Sequence, residues 1–417
     1  MMGKLCFCRL PGFIFLTLLA GLARGEEVTR IEQDSQSDMQ QYVQQPRTSN
    51  LITIFMCGDV MTGRGIDQVL PHPGDPLIHE SYVRSATGYV DLAERTNGPI
   101  SKPVSFSYLW GDALGVLERV NPDLRMINLE TSITASNDYR RGKGIHYRMH
   151  PKNIPCLTAA KIDYCSLANN HVLDWGYGGL IETIETLKNV NINSAGAGQN
   201  LREAEMPAVM EVEGKGRVIV FSYGLPSSGI PFSWAASEDS PGVNLLRSLS
   251  DPTVRHIKEQ IEGVKQRRDI VVASIHWGSN WGYGIPSEQR EFAHKLIDDA
   301  GVDIIHGHSS HHVKGIEVHK GRPIIYGSGD FLNDYEGISG YENFRDDLAL
   351  MYFMSMNPST GKLICLQMIP TQIKHFRANH ASRKDVLWLR DVLNRESKKF
   401  KTRVEINKNN TLTLKWD

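Results

Sequence analysis

The sequence predicts an α/β fold, on three observations. Short β-branched apolar runs alternate with segments of helical period along most of the chain. Five of the runs end in Asp, Glu, Asn or His: Cys57-Gly58-Asp59, Asn128-Leu129-Glu130, Ala168-Asn169-Asn170-His171, Ser274-Ile275-His276-Trp277-Gly278, and the histidine-rich stretch from Ile305 through His306, His308 and His311 to His312. In open α/β sheets, ligands gather beyond the carboxyl ends of strands, so the five ends are expected to meet in one pocket. The length of 417 residues, 41% of them hydrophobic, suits one large domain with decorations, and no internal repeat divides it.

The elements follow in order. Lys4 and Arg9 precede an apolar run over 10–23, and small residues Ala23 and Gly25 close it, so 1–25 reads as a secretory signal that places the mature chain outside the cytoplasm. The run is about 14 residues, short of the roughly 20 that span a bilayer; an uncleaved N-terminal membrane anchor is the alternative. Residues 26–50 are Gln/Ser-rich and read as a flexible lead-in. A domain over 51–378 begins with a strand at 51–57. Residues 71–103, rich in Pro, Gly and His, are expected to form an irregular lid or substrate-facing insertion.

Leu109, Ala113, Val116, Leu117 and Val120 share a helical face over 108–120, which Asn121-Pro122 ends. Strands are expected at 124–129 and 162–168, a short helix at 155–160 and a longer one at 180–190. A hairpin follows at 209–212 and 218–221, then an irregular stretch over 223–250. Helices at 254–264 and 288–300 alternate with strands at 270–275 and 302–305. Gly307 is expected to let the chain turn tightly between His306 and His308. A second hairpin lies at 315–318 and 323–326, and paired strands at 348–354 and 363–369. A helix at 384–395 and a hairpin at 402–406 and 411–416 make up a C-terminal extension, 379–417.

Composition narrows the function. A formal charge of −1 leaves no footprint for nucleic acid. Beyond the first 25 residues the cysteines are Cys57, Cys156, Cys165 and Cys365, with no CxxC pair, which argues against a sulfur-rich zinc site. Asp59, Glu130, Asn170, His276, His308 and His311 instead supply the carboxylate, amide and imidazole mixture that a one- or two-metal centre of Zn, Mn or Fe takes. Two such ions about 3.5–4 Å apart clamp the attacking and leaving oxygens of a displacement. Singly, each residue has an ordinary alternative: Asp59 as a turn former, Glu130 as a solvated acid, His276 as a packed core histidine. Five such strand ends in one chain favour a site.

The ordered set GDVMTGR, NLE, ANNHVLDWG, HWG, GHSSHHVKGIE and YGSGDFLNDYEG resembles the bacterial capsule-synthesis CapA family of poly-γ-glutamate synthesis proteins, similar in fold to calcineurin-like metallophosphoesterases. The resemblance runs from about residue 51 to about 370. It implies a four-layer αββα sandwich of two mixed sheets flanked by helices. It also puts the six residues above at metal-ligand positions and His171 at the position of a general acid; Asp174, three residues on, is the residue expected to orient it. The first motif carries Met61 where phosphoesterases have histidine, and the second carries Glu130 rather than aspartate, so the number of metals stays open. His306 and His312 flank the last ligand motif and are alternative ligands.

Arg64, Arg140, Arg141 and Arg148 are expected to clamp an anion, since guanidinium forks match carboxylate and phosphate; an ordinary solvated basic loop is the alternative. Trp175 and Trp281 are candidates to wall the site. Asp330 and Asn333 sit beside a motif but read equally as turn residues. Two functions remain open. One is a secreted metal-dependent hydrolase of a phosphate ester or a γ-glutamyl amide. The other is an accessory factor that binds polyglutamate alongside membrane-associated capsule-synthesis proteins.

Overall fold

The computed structural model describes residues 50–417. The expected signal and nearly all of the lead-in lie outside the described residues. The chain is a mixed α/β fold, in which the described residues form a ten-stranded and a six-stranded mixed sheet. In the larger sheet β1 (Ile52–Val60), β2 (Leu124–Leu129) and β3 (Tyr164–Ser166) run parallel. The smaller sheet carries β4 (Gly216–Gly224), β5 (Ile270–His276) and β6 (Ile304–His308), also parallel. The chain then returns to the larger sheet with β7 (Asp330–Leu332), parallel to β1, and with β8 (Leu348–Asn357) and β9 (Lys362–Ile373), which are antiparallel.

The two sheets share a core. Ile54, Met56 and Met126 from the larger sheet cluster with Val218, Val220, Val272 and Ile304 from the smaller. The alternate residues Ile219, Phe221, Val271 and Ala273 face the other way, onto Val254, Ile257 and Ile261 of helix Asp251–Glu262 and Phe292 and Leu296 of helix Ser287–Asp298. Because side chains alternate across a strand, burial on both faces requires the near-continuous apolar runs read in the sequence. The C-terminal helix Arg383–Ser397 sends Val386, Leu389 and Leu393 into the inter-sheet core, and the final hairpin extends the larger sheet by pairing with β9.

Three local expectations are corrected. Residues 71–103 are not irregular throughout, since Thr87–Asn97 is a helix burying Tyr89, Val90 and Ala93. Three buried positions are too few to register as a period. The expected helix at 108–120 breaks at Gly111 into a 3-10 turn, Tyr108–Trp110, and helix Asp112–Val120. Gly307 makes no turn, because β6 runs straight through it. A Cβ there would lie 2.6 Å from the Ile325 carbonyl and 2.7 Å from Trp277 Nε1, so glycine is needed for close packing. Among the described residues no helix is long and apolar enough to cross a membrane.

One charged knot ties helix Ser287–Asp298 to strand Ile316–His319. The Glu317 carboxylate accepts from Arg290 Nη2 at 3.1 Å, His294 Nε2 at 2.9 Å and the Tyr326 hydroxyl at 2.7 Å. Burial works to raise its pKa, but the hydrogen bonds from Arg290 and Tyr326 outweigh burial and hold it below the usual range. A depressed carboxyl contributes stability above its unfolded pKa and loses it as pH falls through the folded one. Glu317→Gln is therefore expected to destabilise by about 1.5–3 kcal/mol at pH 7. The gap to wild type should close below about pH 4, as urea midpoints at several pH values will test. A gap unchanged at pH 3 would refute the charge account.

Candidate metal centre

The strand ends converge because backbone register puts their last residues side by side. Asp59, near the end of β1, stands opposite Asn128 of β2 on one side and Asp330 of β7 on the other. Gly58 permits this: a Cβ there would fall 1.6 Å from the Gly329 carbonyl oxygen. In the smaller sheet His276 and His308 are register partners at the ends of β5 and β6. Ligand atoms of Asp59, His276 and His308 lie within 4.8 Å of one another, and so do those of Asp59, His311 and Asp330. Asp59 thus belongs to both trios and is placed to bridge them.

The imidazoles are held by partners of their own. His276 Nδ1 and His308 Nδ1 are 2.8 Å apart. The opposite nitrogens meet Asn170 Oδ1 at 3.0 Å and Ser274 Oγ at 2.9 Å. Two bare lone pairs at 2.8 Å repel, so a proton or a cation must lie between the rings. Burial pushes both rings well below the ordinary histidine pKa, so they are neutral at pH 7, as metal ligands must be. His311 Nδ1 meets Asp330 Oδ1 at 2.8 Å. Burial works to lower its pKa, but the Asp330 carboxylate outweighs that and holds it up.

The carboxylates are short of counter-charge. Asp59 is fully buried and accepts from Asn128 Nδ2 at 2.7 Å and the Ser309 amide at 3.2 Å. Burial first, then the charge of Asp330, push its pKa up to about 7. Glu130 is raised well above the usual range by burial and by Asp59. Its Oε2 is buried with no hydrogen-bond partner, while Oε1 lies 3.7 Å from His276 Nε2 and 3.8 Å from His171 Nε2. An orphaned carboxylate oxygen beside two crowded acids and neutral imidazoles is the donor set a divalent cation fits. Asn170 Oδ1 meets His276 Nε2 at 3.0 Å and so holds that ring.

Beside the trios stands a His–Asp pair. His171 Nδ1 meets Asp174 Oδ2 at 2.6 Å, and Tyr147 N donates to the same oxygen at 2.7 Å. Lys143 Nζ donates to Asp174 Oδ1 and to the Asn170 carbonyl, and lies 3.1 Å from His171 Nδ1. Burial lowers His171 to about 4. With Nδ1 anchored, Nε2 is the nitrogen left facing Glu130.

Two of the four arginines are not free to clamp an anion. Arg64 is buried, its fork spent on Asp334 and Glu80. Arg148 lies over Trp175, 3.8 Å from the ring centre, and donates to the carbonyls of Ser136 and Asp75. Arg140 and Arg141 are exposed, and they line a cavity of about 330 Å³ with Tyr139, Leu173, Tyr177 and Trp234. Trp175 is therefore packing. Trp281 stacks on Tyr341 at 3.9 Å and stands 5.4 Å from His311, walling that side. His306 bonds the Cys57 carbonyl across the sheets, and His312 packs on Phe344, so neither joins a trio.

Sequence reasoning left Asp330 open between a residue beside a motif and a turn residue, and passed over Lys143. The signal for Asp330 was present: Gly-Ser-Gly-Asp repeats the small-residue-then-Asp ending of Cys57-Gly58-Asp59. For Lys143 there was none beyond membership of a basic loop. Asn333 is held by Asp330, its Nδ2 donating to Oδ2 at 2.8 Å.

Residues 53–335 match the family model described as bacterial capsule synthesis protein PGA_cap. A Mycobacterium tuberculosis protein named "Probable polyglutamine synthesis accessory protein" is 48% identical over 369 residues, 88% of this chain and 96% of that protein. The PGA biosynthesis protein CapA of Bacillus subtilis is 29% identical over 318 residues, 76% of this chain and 70% of its own. Among solved structures, a novel phosphatase from Mycoplasma pneumoniae superposes at a TM-score of 0.43 with 14% identity, over 79% of this chain and 95% of that one.

Proposed function

Because the chain belongs to the bacterial capsule synthesis family PGA_cap, we propose that it is an exported protein of poly-γ-glutamate capsule synthesis with a divalent-metal hydrolase site on a four-layer, metallophosphoesterase-like sandwich. The observation that carries the reading is the pair of trios sharing Asp59, with the His171–Asp174 pair at their edge. Asp59, His276 and His308 would hold one cation, and Asp59, His311 and Asp330 a second, with Glu130 and Asn170 at hand. Such a cation supplies Lewis-acid polarisation of a phosphoryl or carbonyl oxygen. The chain's own residues do the rest. Asp174 fixes the ring of His171 and favours its protonated form, so that Nε2 would first take up a proton from water and then deliver it to the leaving atom. Arg140 and Arg141 attract the negative charge of the substrate, a phosphate ester or a γ-glutamyl polymer, to the adjoining cavity. Export rests on residues 1–25 alone.

A second reading is a non-catalytic factor that grips the anionic polymer for assembly or export with membrane-associated partners. It is favoured by the word "accessory" in the name of the mycobacterial relative and by the exposed arginine pair. One experiment separates the two. Purified protein loaded with Zn or Mn is assayed on p-nitrophenyl phosphate and on poly-γ-glutamate, with Asp59→Ala and His308→Ala as controls. The hydrolase reading expects turnover on one substrate class, lost in both variants. Metal retention with no turnover on either class would replace it with the accessory role.

A further inference from the structure

Strand Ile316–His319 is an edge of the smaller sheet, and side chains of helix Ser287–Asp298 reach it. Residues two apart on a strand share a face, as do residues four apart on a helix. Glu317 and His319 are such a pair on the strand, and His294 and Asp298 on the helix. The two pairs meet. Glu317 Oε1 lies 2.9 Å from His294 Nε2, while Asp298 Oδ1 and Oδ2 lie 3.0 and 3.1 Å from His319 Nε2. The two imidazoles stack, with ring centres 3.9 Å apart and planes 8° from parallel. One ligand atom each from His294, Glu317 and His319 lies within 4.8 Å of the other two.

Two imidazoles and a carboxylate are donors that zinc takes, and ligand atoms bound to one zinc ion stand at most roughly 4 Å apart. Rotation of the two rings, both only partly buried, is enough to close the trio. Outer partners already fix the ligands. The Tyr326 hydroxyl donates to Glu317 Oε2 at 2.7 Å. Asp298 backs His319, the carboxylate–histidine pairing that orients rings at zinc. The competing cations are Arg290 on Glu317 and Lys320 on Asp298, and their side chains, 43% and 63% exposed, can turn into solvent. We propose that His294, Glu317 and His319, with Asp298 behind them, form a surface zinc site that staples the edge strand to the helix. It is separate from the metal trios and independent of any hydrolytic activity. His319 pairs with Arg322, the first residue of strand Arg322–Ile325, which runs parallel to β6. The site therefore sits toward the start of these strands, whereas His276 and His308 stand at the ends of β5 and β6.

The test uses the untagged full chain carrying Asp59→Ala, stripped with EDTA and then freed of chelator. Zinc uptake is followed by calorimetric titration and by the thermal midpoint, with magnesium as control. One zinc per chain is expected through this site, together with a saturable rise in midpoint, since an ion that binds only the folded state stabilises it. Magnesium should give neither. Adding His319→Gln or His294→Gln should abolish that uptake and the rise. Adding Asp298→Asn should raise the half-saturating zinc concentration about tenfold or more. No saturable uptake in the parent, an equal response to magnesium, or a His319→Gln protein that takes up zinc like its parent overturns the proposal. If Asp59→Ala fails to fold, the comparison is made on the wild-type background. There His319→Gln must lower the bound zinc by one ion per chain, and an unchanged stoichiometry overturns the proposal.

Discussion

Asp59→Ala is expected to strip the centre of all bound metal, whereas His308→Ala and Asp330→Ala each strip only one ion of two. The asymmetry follows from geometry: Asp59 is common to both trios, and each of the others belongs to one. Metal content after dialysis of Zn- or Mn-loaded protein reads the result directly. Turnover, where present, should fall by about a hundredfold or more, the scale on which removing one preorganised electrostatic group acts. The metal-free protein should behave oppositely. Burial and Asp330 raise the Asp59 carboxyl to about 7. A raised carboxyl favours the folded state while protonated, so its contribution is lost as pH rises from about 4 through 7. Metal-free Asp59→Asn should therefore unfold at a higher temperature than metal-free wild type at pH 8, and the difference should shrink at pH 4. An Asp59→Ala protein that keeps both ions would refute the bridging role.

Arg64→Met is expected to destabilise the protein by about 3–5 kcal/mol, the cost of leaving buried charges without their partner. The guanidinium donates to Asp334 Oδ2 at 2.8 Å and Glu80 Oε1 at 3.0 Å, between side chains that are 0–1% exposed. It also lies 3.6 Å from the Tyr89 ring centre and 4.6 Å from that of Tyr147. Its removal strands two carboxylates in the interior and empties a slot between aromatic rings. Arg64→Lys should recover little, since an ammonium cannot reproduce a fork bonded to two acids. Urea midpoints measure both variants. Arg140→Ala and Arg141→Ala serve as contrast: they should leave the midpoint within about 0.5 kcal/mol of wild type and weaken binding of the anionic substrate instead. Equal midpoints for Arg64→Met and wild type would restore Arg64 to the anion clamp.

These two cases mark what was legible. Asp59 and His308 stand out because an acidic or imidazole residue closing a β-branched run is a local pattern, and register then carries such ends together. Arg64 looked identical to Arg140 in the sequence, since both are basic residues in loops. Their difference is Asp334, which lies 270 positions away. Asp330 was left undecided for a related reason. As a single residue it is a plausible turn former, and only its register beside Asp59 gives it a second meaning. The helix at Thr87–Asn97 escaped because its buried face is three residues wide.

By itself the sequence determined the alternation of strands and helices and the donor types at the strand ends, because side-chain chemistry and periodicity are properties of neighbouring residues. It also determined the family, through the order of its motifs. The tertiary structure decided which donors share a point, which arginines are spent inside, and that Lys143 reaches Asp174. Those are questions of distance and burial between remote segments, and an ionisable group takes its role from its surroundings as much as from its type.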